Sequence, residues 1–259
     1  MALVLPSWML PPRPYVRFSI VAAVFGAACS PSIEPITLAR ECPNKPYREP
    51  AKYPLADADK DRLIANFENG TADVAPYGHR DGRWILGNEI NPTPTKLVAQ
   101  AADDCAAEGT WAGNIQLSPP ESWGANWTAE FRAKTSAGTA VPYDARAYGG
   151  ISFWAAFGAT NDASDHVAFG VTTWDTVWNN TICPLCSTGS YSGAQCAYCN
   201  DHYLFNVSLT REWKRYSIRF EEMVQTPAYI PMRRDQLVGF IIWPRQQVDL
   251  WVDDIRFEP

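Results

Sequence analysis

Four cysteines in one short segment are the residues whose spacing points most directly to chemistry. They form two Cys-x-x-Cys pairs, Cys183 with Cys186 and Cys196 with Cys199, and nine residues separate the pairs. Such pairs either hold a zinc ion as thiolates or close two disulfides. The interval between the pairs is shorter than in a usual zinc ribbon. The redox state of the compartment that holds the chain therefore decides between zinc and disulfides.

Acid–base groups suited to hydrolysis are sparse by comparison. A glycoside hydrolase places two carboxylates around one bond. Glu130 stands alone in its predicted strand, and Glu221 and Glu222 are adjacent, so they point to opposite faces of a strand. The three histidines form no ligand set for a catalytic zinc, and no serine lies in a nucleophile elbow. We predict that the protein is not an enzyme; the alternative is a polysaccharide lyase or hydrolase whose base has no local signature.

The N-terminus is typical of an export signal. Arg13 and Arg17 precede an apolar run, and small residues then lead to Cys29. The apolar run is shorter than the ~20 residues that a membrane-spanning helix needs. A cysteine here resembles a bacterial lipobox, although Gly26 stands where leucine is usual. We predict a signal at 1–28 and a lipidated Cys29 at the outer membrane or cell surface, with secretion after simple cleavage as the alternative.

Export changes the chemistry expected of the cysteines. Exported thiols meet an oxidising environment, which favours two disulfides over zinc in the 183–199 segment. Three pairings of the four clustered cysteines are possible, and the sequence does not choose among them. With Cys29 lipidated, Cys42 and Cys105 remain, and we expect them to form a third disulfide. Zinc at the clustered cysteines is the less favoured alternative.

Charge and composition bound the partners and the domains. The chain of 259 residues has a formal charge of −6, with 22 basic residues and no basic cluster after the signal. A nucleic-acid-binding protein needs a basic face, so that class is excluded. Prolines between Ser30 and Lys60 predict an extended tether at 29–60. The remainder, 61–259, suits one domain; we expect a monomer that reaches the membrane only through its lipid anchor.

Short β-rich runs separated by Gly, Pro, Asn and Asp occupy the chain from Leu63 onward. Their number and spacing predict an all-β fold, a sandwich or barrel of short strands. One segment rich in Ala and Gln, Thr95 to Glu108, is predicted as a helix. The predicted strands are 63–67, 111–117, 126–133, 150–156, 166–172, 203–209, 213–220, 237–243 and 248–257.

Three segments carry a resemblance to a known family. Phe67 to Gly70 reads F-E-N-G, Tyr143 to Trp154 ends in G-G-I-S-F-W, and Trp251 to Phe257 reads W-V-D-D-I-R-F. In order and placement they resemble the opening, central and closing motifs of family 11-like carbohydrate-binding modules. Trp123 to Ala125 and Cys199 to His202 are similar to segments of myxobacterial-type surface lipoproteins that carry such modules.

The resemblance covers nearly the whole chain after the tether, and it implies a fold, a ligand and a metal. The implied fold is a galactose-binding-like jelly roll, a β-sandwich of two antiparallel sheets. The implied ligand is a polysaccharide or other glycan, bound without cleavage. The implied metal is a structural calcium.

Carboxylates in the opening and closing motifs are the candidate calcium ligands. Asp253 shares strand parity with Trp251 and Phe257, which are expected in the core, and a buried carboxylate is costly unless it is paired or metal-bound. Calcium binds six to eight oxygens and would join the first strand to the last. We predict Glu68 and Asp253 as ligands, with Asp254 as a substitute; the alternative is that these are solvated acids at strand ends.

Aromatic side chains are the candidates for sugar contacts, because flat rings stack on the apolar faces of sugars. Trp174, Asp175 and Trp178 follow a predicted strand and combine stacking surfaces with hydrogen-bonding groups, as a ligand cleft requires. We predict them as carbohydrate-binding residues. The alternative for a single tryptophan is core packing. The alternative for the whole protein is a structural or protein-interaction module without sugar binding.

Overall fold

A computed structural model describes residues 42–44, 57–88, 97–103, 105–117, 125–158, 166–177, 200–225 and 231–259. The chain divides into two compact units, Met1–Thr37 and Leu38–Pro259, and all described residues belong to the second. The predicted signal, the lipidated Cys29, Trp178 and the four clustered cysteines lie outside the described residues.

Short strands are the main regular secondary structure in the described part of the chain. Single 3-10 turns, Phe220–Glu222 and Arg234–Gln236, lie between the later strands. Within the described ranges, no helix is long and apolar enough to cross a membrane. The elements are helix α1 (Asp57–Lys60) and strands β1 (Leu63–Ala65), β2 (Trp84–Asn88), β3 (Leu97–Asp103), β4 (Trp111–Leu117), β5 (Ala125–Glu130), β6 (Gly150–Phe157), β7 (His166–Thr173), β8 (Tyr203–Ser208), β9 (Lys214–Arg219), β10 (Leu237–Trp243) and β11 (Val248–Glu258).

The strands form two antiparallel sheets. A six-stranded sheet has the order β3-β4-β11-β6-β9, with β1 also paired to β11, and a five-stranded sheet has the order β2-β5-β10-β7-β8. From β4 onward the chain passes repeatedly from one sheet to the other, which is the connectivity of a jelly-roll sandwich. The predicted all-β sandwich of two antiparallel sheets is confirmed.

The hydrophobic core lies between the sheets, because successive side chains of a strand point to opposite faces. Phe153 of β6 packs on Phe169 of β7 with ring centroids 4.4 Å apart, and on Phe240 of β10 at 5.6 Å. Trp127 of β5 packs 4.0 Å from Trp84 of β2. Burial of each such ring stabilises the fold by about 1.5–3 kcal/mol.

The predicted helix at 95–108 is wrong. Leu97–Asp103 is strand β3, which pairs with β4 along its whole length. The Ala- and Gln-rich composition favours a helix only weakly, at a few tenths of a kcal/mol per residue. Pairing with the open edge of β4 outweighs that preference. Strand β2, which lies at the edge of the other sheet, is an additional strand that the sequence analysis did not predict.

A bulge in β11 reverses the faces of the closing motif. The pairing of β11 with β6 shifts register between Asp253 and Arg256, and Asp254 has a φ of 44°. As a result, Trp251 points away from the core, whereas Phe257 is part of it. The expectation that Trp251 and Phe257 share a core face is therefore wrong, because the extra residue changes the strand parity.

Part of the predicted tether packs on the sandwich. Cys42 and Cys105 form the expected disulfide. The Asn44 N–H donates to the Arg211 carbonyl at 3.0 Å, and the Trp213 N–H donates to the Asn44 carbonyl at 3.4 Å. Residues 42–44 are thus fixed both to the loop after β3 and to the segment that leads into β9.

Candidate functional site

The loop between β3 and β4 is held by the two predicted calcium ligands. Asp253 Oδ2 accepts the N–H groups of Ala107 at 3.0 Å and Glu108 at 2.9 Å. Glu68 Oε1 accepts the N–H groups of Thr110 at 2.9 Å and Trp111 at 3.0 Å. The structure therefore brings Glu68 and Asp253 to one loop, residues 105–110, although they are far apart in sequence.

Backbone conformation makes room for this contact. Gly109 has a φ of 69°, and a Cβ there would lie 2.3 Å from Glu68 Oε1. Phe67 has a φ of 60°, which is unusual for a residue with a bulky side chain. This turn buries the Phe67 ring in the core and leaves Glu68 half-buried against the loop. The F-E-N-G motif thus joins the core to loop 105–110.

Asp253 is more deeply buried than Glu68, with 1% of its surface exposed. Burial raises the pKa of Asp253 well above its usual range. The Glu108 N–H and the Asp254 N–H act in the opposite direction, while the negative charges of Asp254 and Glu68 raise the pKa further.

Asp254 has a different environment. Its Oδ2 pairs with Arg215 Nη1 at 2.9 Å, and its Oδ1 pairs with Arg256 Nη2 at 2.7 Å. Two guanidinium groups already neutralise this buried carboxylate, whereas calcium prefers carboxylates that lack cationic partners. Asp254 therefore takes part in a salt-bridge network, whereas Glu68 and Asp253 accept backbone N–H groups of residues 107–111.

Calcium at these residues stays a prediction. The oxygens of Glu68 and Asp253 would be its side-chain ligands, and the ion would strengthen the attachment of loop 105–110 to β11. In the described ranges, no group of three or more His, Cys, Asp or Glu side chains is placed to hold a metal ion.

A second apolar cluster lies on the outer face of the six-stranded sheet, under loop 105–110. We call it the tryptophan cluster: Trp154, Trp213 and Trp251, packed with nearby alanines. Trp154 Nε1 donates to Glu108 Oε1 at 2.9 Å, and Trp213 Nε1 donates to the Cys105 carbonyl at 3.2 Å. The cluster thus packs under loop 105–110 and donates two hydrogen bonds to it.

The predicted sugar-binding segment follows β7. Trp174 and Asp175 are both half-buried there. The turn is fixed by Thr176, whose Oγ1 donates to the Thr173 carbonyl at 3.2 Å and lies 3.0 Å from His202 Nδ1. Burial lowers the pKa of His202 to about 4, so the ring is neutral at physiological pH. Polar contacts therefore hold this segment at the end of β7 in the five-stranded sheet.

A residue outside that prediction, Trp243, is the aromatic group on the outer face of the five-stranded sheet. The register pairs Trp243 with Ala168, and Ala168 with Asn206. On the other side, Ile242 of β10 pairs with Trp127 of the antiparallel strand β5. The next residue of β10, Trp243, therefore lies beside Asn126. Directly paired residues share a face, so a half-buried indole lies between two asparagines. We call this group the Trp243 face: Asn126, Trp243, Asn206, with Arg245 and His202 around the indole.

Contacts around the indole define the surface of the Trp243 face. The Arg245 guanidinium carbon lies 5.0 Å from the centre of the Trp243 ring, and the His202 ring lies 6.2 Å from it. His202 therefore links the Trp243 face to the turn that carries Trp174. A sequence signal for Trp243 exists: it has the opposite strand parity to Phe240 and Ile242, which are in the core.

Other acid and base groups of the described residues have local polar partners. Glu130 Oε1 pairs with Lys134 at 2.9 Å, and Glu221 pairs with Arg219 at 2.8 Å. His166 Nδ1 lies 3.0 Å from Ser208 Oγ. Of the carboxylates singled out from the sequence as potential catalysts, Glu130 and Glu221 therefore take part in local ion pairs, and Glu222 accepts the Arg219 N–H at 2.7 Å.

Solved structures of carbohydrate-binding modules are similar to this chain. The family 11 module from Clostridium thermocellum, in complex with a β-1,3-1,4-mixed-linked tetrasaccharide, has 11% identity, covers 76% of this chain and 94% of its own, and gives a TM-score of 0.47. TmCBM61 in complex with β-1,4-galactotriose has 14% identity, 76% and 97% coverage, and a TM-score of 0.37. The family 30 module of the cellulosomal cellulase Cel9D-Cel44B of Clostridium thermocellum has 13% identity, 69% and 91% coverage, and a TM-score of 0.39.

Solved modules of the family that the three motifs resemble are among the structures similar to this chain. No family model and no curated protein matches the sequence. With identities of 14% or less and TM-scores of 0.47 or less, no ligand or residue role is carried over to this chain. The fold assignment rests on the strand order of the chain itself, and the resemblance to surface lipoproteins stays a prediction.

Proposed function

We propose that this protein binds a polysaccharide without cleaving it, and that the Trp243 face is the binding surface. The observation that carries the proposal is the half-buried indole of Trp243 set between Asn126 and Asn206 on one sheet face. An aromatic ring supplies stacking area, and the amides pair with hydroxyl groups in both directions. Trp174 and Asp175 are proposed to extend this surface, because His202 contacts both the Trp174 turn and the Trp243 ring. Trp178, which lies outside the described residues, is proposed as a sugar contact from its sequence position alone.

Affinity electrophoresis of the oxidised protein tests the proposal. The gels would contain a mixed-linkage β-glucan, a galactan, a xylan or an acidic polymer. We expect at least one polymer to retard the protein, and Trp243→Ala to abolish the retardation. Trp174→Ala measures the contribution of the segment predicted from the sequence. Phe205→Ala is the matched control, because Phe205 is an exposed aromatic residue on the edge strand β8.

Two outcomes would contradict this function. If no polymer changes the migration of the protein, a protein-interaction or structural function is favoured over carbohydrate binding. Release of new reducing or unsaturated ends from a polymer would instead identify a hydrolase or lyase on the same fold. Retardation that persists in Trp243→Ala would place the binding surface elsewhere.

We also propose that the protein is exported and anchored through a lipid on Cys29. The disulfide between Cys42 and Cys105 supports export, since such bonds persist mainly in oxidising compartments. Metabolic labelling with a radioactive fatty acid tests the anchor. The label should enter the wild-type protein and be lost in Cys29→Ser, whereas an unlabelled secreted wild type would contradict the anchor.

Calcium bound by Glu68 and Asp253 is the remaining proposal. Their shared hold on loop 105–110 supports it. Calcium should raise the melting temperature of EDTA-treated wild type, and it should do so less in Asp253→Asn. An equal melting temperature with calcium and with EDTA would contradict it.

A further inference from the structure

A cavity of about 690 Å³ opens beside strand β1, away from the residues of the Trp243 face. Its size falls within the range of small-molecule sites, about 300–1,000 Å³. One wall comes from the F-E-N-G segment after β1, and the other from the loop that leads to β2. Its polar and aromatic lining residues include Lys60, Asn66, Glu68, Asn69, Asp73, Tyr77 and Asp81.

Tyr77 gives this cavity an exposed aromatic wall. It is 36% exposed. The loop turns at Gly78 and His79, whose φ angles are 59° and 63°. A left-handed conformation at a residue such as His79 is uncommon and persists only when the surroundings impose it.

Arg80 imposes that conformation. It is 2% exposed, with Nη1 donating to the Tyr143 hydroxyl at 2.9 Å and Nη2 donating to the Leu63 carbonyl at 2.6 Å. Its guanidinium also lies 5.6 Å from the centre of the Phe257 ring. Among the described residues, no carboxylate pairs with this buried cation. Burial of an arginine without an acidic partner is costly, and here it holds the Tyr77 loop against β1.

The polar groups of the cavity are mainly hydrogen-bond acceptors. Thr71 Oγ1 donates to Asp73 Oδ2 at 2.6 Å. The Ala133 N–H and the Arg132 side chain lower the pKa of Asp81, so this carboxylate stays charged. Three acidic residues and one lysine line the cavity. Its surface therefore attracts hydroxyl donors and disfavours anionic ligands.

We propose that this cavity is a second saccharide site, which takes a neutral sugar ring stacked on Tyr77 with its hydroxyls donating to Asp73 and Asp81. The proposal rests on the carbohydrate-binding function proposed above and adds a site and a class of sugar to it. The excess of acidic over basic lining residues disfavours uronic acids and sulfated sugars here, although Arg132 pairs with Asp81 at 2.9 Å. A fixed aromatic wall beside hydroxyl acceptors suits a short saccharide or a chain end, whereas the Trp243 face crosses a whole sheet.

Isothermal titration calorimetry with short oligosaccharides tests the second site. The probes are cellotetraose, xylotetraose, chitotetraose and β-1,4-galactotriose, with tetragalacturonate as the anionic probe. We expect Tyr77→Ala to weaken binding of a neutral probe about tenfold, since it removes a stacking contact. Tyr77→Phe keeps the ring and should bind within about threefold of the wild type. Phe205→Ala is the matched control, because Phe205 and Tyr77 are both 36% exposed.

The outcomes separate the two proposals. Neutral-probe binding that survives Tyr77→Ala but is lost in Trp243→Ala would overturn the second site and leave the proposed function standing. Tetragalacturonate binding that depends on Tyr77 would overturn the neutral class of ligand. A wild type that binds neither oligosaccharides nor polymers would overturn both the second site and the proposed function. Loss of neutral-probe binding in Asp73→Asn as well as in Tyr77→Ala would support the site independently of the aromatic ring.

Discussion

The two outer faces of the sandwich use tryptophan in opposite ways. On the six-stranded sheet, Trp251 is fully buried beneath loop 105–110, which a disulfide and two carboxylates hold in place. On the five-stranded sheet, Trp243 keeps part of its ring in water between two asparagines. Loop 105–110 covers the tryptophan of the six-stranded sheet, whereas the indole of Trp243 on the five-stranded sheet is partly exposed to solvent.

Residue type alone therefore does not show whether an aromatic residue on the outer face of a sheet stabilises the fold or binds a ligand. Both tryptophans point away from the main core. What separates them is whether a neighbouring segment is fixed over the ring. The six-stranded face has such a segment because Glu68, Asp253 and Cys105 converge on it. Its aromatic residues contribute stability, whereas Trp243 is placed to contact a ligand.

Truncation of each tryptophan should give the largest difference between the two faces. Trp251→Ala should lower the free energy of unfolding by about 3–5 kcal/mol, because it leaves a cavity under loop 105–110. Trp243→Ala should cost only about 1–2 kcal/mol, since part of its ring is already solvated, but should abolish polysaccharide binding. Urea denaturation with affinity electrophoresis measures both effects. Equal losses of stability in the two variants would show that the faces do not differ in this way.

Acidification should change the free energy of unfolding in opposite directions through His202, on one face, and Asp253, on the other. His202, beside the Trp243 ring, has a pKa lowered from 6.5 to about 4 by burial. The unfolded chain binds a proton at this residue first, so its stabilising contribution is complete above pH 6.5 and is lost as pH falls toward 4. That loss amounts to about 3 kcal/mol. Asp253 has a raised pKa, so its contribution is complete below pH 3.8 and is lost as pH rises.

The two contributions oppose each other between pH 4 and 6.5, and single variants should reveal each one. Relative to wild type, Asp253→Asn should become less stable as the solution is acidified, because His202 then acts alone. His202→Gln should show the opposite trend. Urea midpoints at several pH values in EDTA provide the measurement, and EDTA removes any metal from Asp253. Parallel pH profiles for the two variants would refute the assignment.

A pair of glycines tests the smallest effect, the fit of Glu68 against loop 105–110. Gly109 and Gly138 both have positive φ angles, 69° and 78°. A Cβ at Gly109 would contact the Glu68 carboxylate, whereas a Cβ at Gly138 would meet nothing within 4 Å. Each Gly→Ala change should cost about 1 kcal/mol for the backbone. Gly109→Ala should cost roughly 1 kcal/mol more for the clash, and equal melting temperatures would mean that Glu68 does not hold the loop.

The sequence predicts the sandwich well because alternating strands and turn residues are local signals. It fails at Leu97–Asp103, where an Ala-rich composition favours a helix and only pairing with β4 decides the outcome. It also fails at the closing motif, since one extra residue at Asp254 reverses the faces of everything after it. A bulge of this kind depends on contacts with other strands and has no clear sequence signal.

The candidate site was predictable only in part. Glu68 and Asp253 were expected to act together, and the structure places both on loop 105–110. Their loop could not be foreseen, because it was expected to be helical. Trp243 carries a parity signal in β10, but its position between Asn126 and Asn206 follows from the register of three neighbouring strands. Sequence spacing alone contains no information on that register.

The disulfide at Cys42 also determines how the fold would respond to a mechanical pull. A force applied to the chain before Cys42 passes through the sulfur bridge to Cys105 and into the loop held by Asp253. Strand β1, which is three residues long and pairs only with β11, then bears none of that load. In the reduced protein the same tension would travel along the backbone to β1 and peel it from the sheet edge. The bridge therefore keeps such a pull off the three-residue strand β1.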